Sequence, residues 1–172
     1  MNDKRLARML RVDQAGEYGA TQIYAGQLAV MGDRAPHAGK VAAMALQEAA
    51  HRQRFDALIA KRGVRPTALQ PVWAVAGFAL GAATALIGPE AAMACTAAIE
   101  TEIDKHYTAQ LDDLADGSDP ELAALVEEFR GEEREHLEAA LAAGAEKAPA
   151  YPLLSGAIRL GCRLAIRLSE RI

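Results

Sequence analysis

Two copies of a Glu-x-x-His motif, each preceded by a lone glutamate, restrict the fold of this chain more than any other feature. The motifs are EAAH at residues 48–51 and EREH at residues 133–136. The lone acids, Glu17 and Glu100, lie 31 and 33 residues before the motif glutamates. Four-helix bundles that hold two metal ions take one glutamate from each of two helices and a Glu-x-x-His pair from each of the other two. The order of these residues therefore predicts such a bundle.

The remaining sequence favours helix along its whole length. Aromatic residues make up only 5% of the 172 residues, and the alternating β-branched runs that predict strands are absent. Glycine- and proline-rich breaks divide the chain into helical segments. The predicted helices span about 3–31, 35–62, 72–87, 90–115, 119–144 and 151–170. We expect an all-α protein that folds as a single domain over residues 1–172.

The candidate ligands lie on the apolar faces of their helices. Met44, Glu48, His51, Phe55 and Leu58 are spaced by 4, 3, 4 and 3 residues, which places them along one side of a helix. The other three helices repeat this spacing around their own glutamates. Buried carboxylates need compensating positive charge, and carboxylate and imidazole ligands suit iron or manganese. The predicted ligands of two iron ions are Glu17, Glu48, His51, Glu100, Glu133 and His136.

The bland alternative is a solvated helix face. Glutamate is common in helices, so a single Glu-x-x-His is a weak signal. Two copies, each paired with a lone glutamate on an apolar face, favour the metal interpretation. We then expect Glu48 and Glu133 to bridge the metals and Glu17 and Glu100 to be terminal ligands, with one histidine on each metal.

Neighbouring acids have to be told apart from the ligands. Glu102 lies about 200° around its helix from Glu100, and Glu132 lies about a quarter turn from the ligand face, so both are expected to face solvent. Asp104 is nearer the inner face and is the acid that most competes with Glu100. Asp13, one turn before Glu17, is expected to hydrogen-bond a ligating imidazole.

Charge and the amino terminus exclude other classes of protein. The net charge of −4 argues against a protein devoted to nucleic acid, because phosphate contacts need a basic excess. The first residues, MNDKRLARMLRVDQ, contain no apolar signal region, so we expect the protein to stay inside the cell.

Longer segments are more specific than the short motifs. They are RVDQAGEYGA, GPEAAMACTAAIE, FRGEEREH, and the terminal APAY with GCRLAIRLSERI. These segments resemble the demethoxyubiquinone (demethoxyubiquinol) hydroxylases of ubiquinone biosynthesis over nearly the whole chain. The resemblance implies a ferritin-like fold and an O2-dependent monooxygenase with a di-iron centre, which hydroxylates the ring of a polyprenylated demethoxyquinol. It implies the same six ligands, and the early start of the first helix suggests a bacterial form.

The resemblance implies that two electrons must reach the site from outside the chain. The sequence has no G-x-G-x-x-G fingerprint, so an external reductant such as NADH would act without a dinucleotide-binding domain. The quinol itself is a hypothetical relay of these electrons to the irons.

Three further side chains are candidates near the metals. Tyr107 lies two turns after Glu100, and Tyr24 lies two turns after Glu17, so each is a candidate for lining the substrate channel. A core tyrosine with a satisfied hydroxyl explains either one equally well. His106 points about 120° away from the Glu100 face and is expected behind the ligands or at the rim.

An uncharged segment, PVWAVAGFALGAATALIGP, suggests contact with a membrane. A helix over 72–87 would be about 24 Å long, shorter than the roughly 30 Å hydrocarbon core, so we expect it to lie in the membrane surface. A buried bundle helix is the alternative. The last helix carries Arg159, Arg163, Arg167 and Arg171 at every fourth position, which fits anionic lipid or a solvated face. The expected location is peripheral, on the cytoplasmic face of the bacterial inner membrane.

Other functions remain open at this point. An iron-storage or peroxide-scavenging protein and a di-iron hydroxylase of tRNA share the predicted fold, and a non-enzymatic membrane adaptor is a third class. The apolar segment argues against a storage shell, and the acidic charge argues against tRNA. The sequence also leaves open a lipid-binding accessory protein or a homo-oligomer.

Overall fold

Six α-helices form the protein in a computed structural model that describes residues 3–172. They are α1 (Asp3–Met31), α2 (Ala38–Lys61), α3 (Gln70–Ile87), α4 (Pro89–Leu114), α5 (Pro120–Ala142) and α6 (Tyr151–Ser169). A single 3-10 turn, Ala145–Lys147, lies between the last two helices. Residues 3–172 contain no strand, and the predicted all-α bundle is confirmed.

Helix ends follow local chemistry. The Asp119 carboxylate accepts a hydrogen bond from the Leu122 backbone N–H at 3.1 Å, and Pro120 occupies the first helical position, as predicted for α5. Helix α2 begins three residues later than predicted because the chain before it turns through positive φ at Gly32 and His37. Helix α3 begins two residues earlier, since a proline is tolerated in a first turn.

The bundle consists of two antiparallel pairs, α1 with α2 and α4 with α5, and the pairs meet where α1 faces α4 and α2 faces α5. Two apolar cores occupy this interior. One includes Met44 of α2 and Ala140 of α5, and the other includes Phe55 of α2 and Phe129 of α5. Both Glu-x-x-His motifs lie between these cores along their helices, so apolar layers close the interior above and below the acids.

Helix α3 packs on α1 at backbone distance. A Cβ atom added to Gly81 would lie 1.9 Å from the Ile23 carbonyl oxygen, and one added to Gly26 would lie 2.1 Å from that of Phe78. Only glycine permits such an approach at these two positions. The alternative of α3 as a buried bundle helix is wrong, because its buried residues are limited to Gly77, Gly81, Thr84 and Ala85.

Helix α6 packs mainly on α4, where Ile158 contacts the apolar core around Cys95 and Ala98. The indole N–H of Trp73, in the first turns of α3, donates to the Ser169 hydroxyl at the end of α6 at 3.1 Å. Helices α3 and α6 each contact both α1 and α4, so they cover the same side of the bundle.

Candidate metal centre

The structure brings the six predicted ligands together in the bundle interior, where each is at most 4% exposed. They form two groups in which the possible ligand atoms all lie within 4.8 Å of one another. The first group contains Glu17, Glu48, His51 and Glu133, and the second contains Glu48, Glu100, Glu133 and His136. Glu48 and Glu133 belong to both groups. The arrangement therefore offers two adjacent four-donor positions that share two carboxylates.

Both imidazoles present Nδ1 to the centre. His51 Nδ1 lies 3.1 Å from Glu133 Oε1 and 3.5 Å from Glu17 Oε2. His136 Nδ1 lies 3.1 Å from Glu133 Oε2 and 3.3 Å from Glu48 Oε1. The Nε2 atom of each ring faces away from these carboxylates, so each imidazole can bind a cation through Nδ1 and donate a hydrogen bond through Nε2.

The two tyrosines cross between the halves of the bundle. The Tyr24 hydroxyl donates to Glu100 Oε1 at 3.1 Å, and the Tyr107 hydroxyl donates to Glu17 Oε1 at 2.5 Å. Each tyrosine follows the glutamate of its own helix by seven residues but bonds the glutamate of the other helix. Both side chains therefore hold a lone glutamate in place.

Burial raises the pKa of Glu17, and raises the pKa of Glu48 and Glu100 well above the usual range. The negative charge of Glu133 raises all three further. Within residues 3–172, Glu17 Oε2 and Glu48 Oε1 are buried without a hydrogen-bond donor. Buried carboxylate oxygens that lack donors need a cation or a proton to be stable.

Glu133 behaves differently from the other three acids. Burial acts to raise its pKa, but hydrogen bonds from the His136 and His51 imidazoles outweigh burial and lower this pKa to about 2. Burial acts to lower the pKa of His51, and the adjacent carboxylates of Glu133 and Glu17 raise that pKa to about 11. A carboxylate in this core is thus ionised where a cation faces it.

These properties fit a pair of divalent cations. Four carboxylates and two imidazoles are oxygen and nitrogen donors of the kind that iron and manganese accept, and thiolates are absent from both donor groups. Two dications would supply the positive charge that the unsatisfied oxygens of Glu17 and Glu48 lack. The buried Glu and His cluster can therefore bind metal.

A cavity reaches the centre between α1 and α4. Its apolar walls include Val12, Ile99, Ile103 and Ile166, and all four glutamates of the centre also line it. Tyr107 lines this cavity, whereas Tyr24 does not. Neither His51 nor His136 is part of its wall, so the cavity meets the centre on the side opposite the imidazoles. An apolar molecule could approach the carboxylates there.

Asp13 bonds an imidazole, but not the predicted one. Its Oδ1 lies 3.1 Å from His106 Nε2 and accepts a hydrogen bond from the Gln110 amide at 2.7 Å. The expectation of a bond to a ligating imidazole was wrong because Asp13 faces α4, whereas His51 and His136 lie on α2 and α5. His106 lines the cavity beside the ligands, where the sequence had placed it.

The prediction that Glu102 faces solvent was wrong. Glu102 is 4% exposed, and its Oε1 accepts from Arg159 at 2.7 Å and from Lys105 at 2.9 Å, with Arg163 at 3.3 Å. Helix α6 covers this face of α4. The angle between Glu102 and Glu100 on α4 does not reveal that cover. The pKa of Glu102, which burial acts to raise, is lowered by hydrogen bonds from Lys105 and Arg159. Glu102 stays outside both donor groups and joins α6 to α4.

Two other acids also have definite partners. Asp104 Oδ1 accepts from Arg130 at 3.1 Å, so this rival of Glu100 lies outside both donor groups. Glu132, which was expected to face solvent, has a half-buried side chain whose Oε2 lies 2.5 Å from His51 Nε2. The expectation is met only in part, because the Glu132 side chain is 37% exposed but also contacts the His51 imidazole of α2.

Gln47 is a further residue at the centre, and the sequence did not predict it. Its Oε1 lies 2.9 Å from His136 Nε2, on α5. Gln47 and Glu132 are each the residue immediately before a motif glutamate, and each bonds the histidine of the opposite motif. Alignment of the two motifs with each other would have shown these equivalent positions.

Sequence comparisons extend the likeness to the whole chain. The family model described as ubiquinone biosynthesis protein COQ7 matches residues 4–169. The 3-demethoxyubiquinol 3-hydroxylase of Rhodospirillum rubrum is 56% identical over 165 residues, which are 96% of this chain and 77% of the relative. The mitochondrial NADPH-dependent 3-demethoxyubiquinone 3-hydroxylase of Homo sapiens is 50% identical, with 96% and 77% covered. The mitochondrial 5-demethoxyubiquinone hydroxylase of Saccharomyces cerevisiae is 44% identical, with 97% and 78% covered.

Proposed function

The chain belongs to the COQ7 family of ubiquinone biosynthesis proteins, and on this premise we propose that it is an O2-dependent monooxygenase that hydroxylates the ring of a polyprenylated demethoxyquinol at a di-iron centre. The reaction belongs late in ubiquinone biosynthesis, because the relatives are named as hydroxylases of demethoxyubiquinol or demethoxyubiquinone, which lack only a methoxy group of ubiquinone. The observation that carries the proposal is the pair of four-donor groups that share Glu48 and Glu133.

The ligand assignment follows those groups. Glu17 and His51 would hold one iron, Glu100 and His136 would hold the other, and Glu48 and Glu133 would be available to both. When bound, iron would supply the redox chemistry that O2 activation needs and that no side chain can provide. The chain's own contribution is to fix the geometry, since Tyr107 and Tyr24 hold the terminal carboxylates at 2.5 and 3.1 Å.

The substrate site is the cavity between α1 and α4. The cavity has a volume of about 30 Å³, so its apolar walls would have to move apart to accept a quinol ring, and His106 and Tyr107 are polar groups of the wall next to the carboxylates. Asp13 orients the His106 imidazole by a hydrogen bond at 3.1 Å. Tyr107 keeps its proposed role at the channel, and Tyr24 is a positioning residue for Glu100.

A membrane delivers the water-insoluble substrate. Among the described helices, α3 is long and apolar enough, by length and composition, to cross a membrane, which is weak evidence when taken alone. Large apolar side chains on the outer faces of α3 and α6 are exposed: Val72, Val75, Phe78, Leu86, Ile87, Leu153, Leu160, Leu164 and Leu168. These nine residues form the lipid-facing surface that we propose, because exposed apolar patches of this kind mark interaction sites. Since α3 packs along α1, the protein lies on the membrane, at the cytoplasmic face of a bacterial inner membrane.

A direct test uses metal-free protein loaded with ferrous iron under anaerobic conditions. The loaded protein should hold two irons per chain and should place one oxygen atom from 18O2 on a short-chain demethoxyquinol. Glu48→Ala should abolish the product, and Glu138→Gln, an exposed substitution on α5, should not. Iron uptake of many ions per chain would indicate storage, and full iron loading without product would contradict the hydroxylase.

We further propose reduced nicotinamide as the electron source, because the human relative is named NADPH-dependent. Electrons from NADH or NADPH should reach the ferric centre faster when the quinone substrate is present. Anaerobic stopped-flow absorption measures this rate directly. Equal reduction rates with and without quinone would remove the quinol as an electron relay.

A further inference from the structure

We propose that the residue before each motif glutamate makes the two metal positions unequal, with the His51 position binding its ion more tightly than the His136 position. This difference rests on the proposed metal centre and concerns its two halves separately. The residues that set it are Glu132 and Gln47, which act as positioning residues through the imidazoles that they contact.

The two halves of the centre have matching contacts at this position. Glu132 Oε2 lies 2.5 Å from His51 Nε2, and Gln47 Oε1 lies 2.9 Å from His136 Nε2. Both contacts run between α2 and α5, and both start from the residue before a motif glutamate. The geometry is therefore the same in the two halves, but one acceptor is a carboxylate and the other is a neutral amide.

This chemical difference acts on the metal-binding nitrogens. Each ring presents Nδ1 to the carboxylates of the centre, so its Nε2–H donates outward to Glu132 or Gln47. A hydrogen bond to a carboxylate is stronger than one to an amide, and it makes the opposite ring nitrogen a better donor to metal. His51 should therefore bind a dication more tightly than His136.

The surroundings of His51 hold both Arg54 and the imidazole ring in place. The Arg54 guanidinium, which interacts electrostatically with Glu132, hydrogen-bonds Glu128 through both terminal nitrogens, with one N–H···O distance of 2.9 Å. The His51 ring stacks on Phe129, with centroids 3.9 Å apart. In the opposite motif the position equivalent to Phe129 is Met44, which has no ring to stack on an imidazole.

The consequence is an order of loading. The first divalent ion enters the group of Glu17, Glu48, His51 and Glu133, and the second completes the site with Glu100 and His136. Because Glu48 and Glu133 already face the first ion, the second ion binds to partly neutralised bridges. Both effects make the first ion bind more tightly than the second, so the two binding steps should be separable.

Anaerobic cobalt(II) titration of the metal-free protein, followed by visible absorption with a competing chelator, measures both dissociation constants without any turnover. Wild type should bind two ions in two steps. Glu132→Gln should weaken the first step about 10-fold or more, as expected for loss of a charged partner of a ligating histidine. Gln47→Glu should lower the dissociation constant of the second step and so bring the two constants closer together.

Proton NMR of the singly loaded protein locates the first ion. Cobalt(II) shifts the Nε2–H signal of its own imidazole ligand, so one shifted exchangeable signal is expected. Glu132→Gln should move this signal, and Gln47→Glu should leave it in place. A purely structural role for Glu132 would lower helicity without moving the signal selectively.

Glu138→Gln is the matched control, since it makes the same change at an exposed position of α5 and should keep both wild-type constants. Two ions bound with one common constant in wild type would overturn the inference while leaving the metal centre intact. So would equal constants for Glu132→Gln and Glu138→Gln. Fewer than two bound ions in wild type would instead overturn the proposed centre itself. If Glu132→Gln does not fold, Gln47→Glu decides alone, and an unchanged second step overturns the inference.

Discussion

The interior of the four-helix bundle and the outer surface of α3 and α6 place their polar and apolar groups in opposite ways. The interior buries four carboxylates and two imidazoles, whereas the outer surface exposes Val75 to 73% and Leu86 to 75%. Burial of unpaired charge and exposure of a broad apolar surface are both unfavourable in water. Each region therefore lacks a partner within the described chain, and the partners that we propose are a pair of cations inside and a lipid surface outside.

The two regions meet at the cavity. Ile166 of α6 lies in its wall together with the carboxylates of the centre, and other residues of α6 form part of the apolar surface. A substrate with a polar ring and a prenyl tail matches both regions at once. The metal centre alone does not distinguish storage, scavenging and hydroxylation, because the feature that separates them is the apolar surface outside it.

The largest expected effect comes from removing a shared carboxylate. Glu133→Ala removes a donor from both groups, so both ions should bind more than about 100-fold less tightly, since loss of an outer partner alone costs about 10–100-fold. Iron content after desalting and hydroxylation of a short-chain quinol measure this loss. Asp104→Ala removes an acid paired with Arg130 and should keep two irons. Two irons retained by Glu133→Ala would contradict the bridging assignment.

The second-largest effect is expected where α3, which carries part of the apolar surface, packs against α1. Gly81→Val should destabilise the protein by about 3 kcal/mol or more, because its Cβ would lie 1.9 Å from the Ile23 carbonyl oxygen and α3 would have to move away from α1. Denaturant unfolding followed by circular dichroism gives this value. Gly161→Ala, with open space around its Cβ, should be neutral or slightly stabilising. Wild-type stability of Gly81→Val would show that α3 is not held by this contact.

A smaller effect is expected at the membrane surface. Val75→Asn with Leu86→Asn should weaken binding to neutral vesicles at least about 100-fold, since burying each of the two side chains contributes roughly 1.5–3 kcal/mol. Vesicle flotation measures the binding. Leu46→Asn changes a residue that is also 75% exposed but lies on α2, away from α3 and α6, and should bind like wild type. If Leu46→Asn lost as much vesicle binding as the double variant, binding would not depend on the apolar surface of α3 and α6.

The smallest effect concerns four C-terminal arginines, of which Arg159, Arg163 and Arg167 lie on α6 and Arg171 follows its end at Ser169. Arg159 and Arg163 face the buried Glu102, whereas Arg167 and Arg171 are exposed. Replacing Arg167 and Arg171 by Gln should weaken binding to anionic vesicles about fivefold per residue at low salt, at roughly 1 kcal/mol each. The same loss on neutral vesicles, or a loss that persists at high salt, would argue against charge attraction. Arg159→Gln should instead lower stability, by loosening α6 from α4.

The sequence by itself determined the helices and the six candidate ligands. A helical period of 3.6 residues and the end signals at Asp119 and Pro120 are local, and a metal motif repeated on apolar faces can be detected without knowing which helices touch. The long segments that resemble the hydroxylase family also predicted the membership that the comparisons confirm.

Only the tertiary structure decided what surrounds the ligands. Glu102 is buried because α6 covers it, and Glu132 and Gln47 contact imidazoles because α2 lies against α5. The crossed bonds of Tyr24 and Tyr107 likewise depend on α1 facing α4. A residue's angle on its own helix gives its direction but not its neighbour, so contacts between helices appear only when the bundle is assembled.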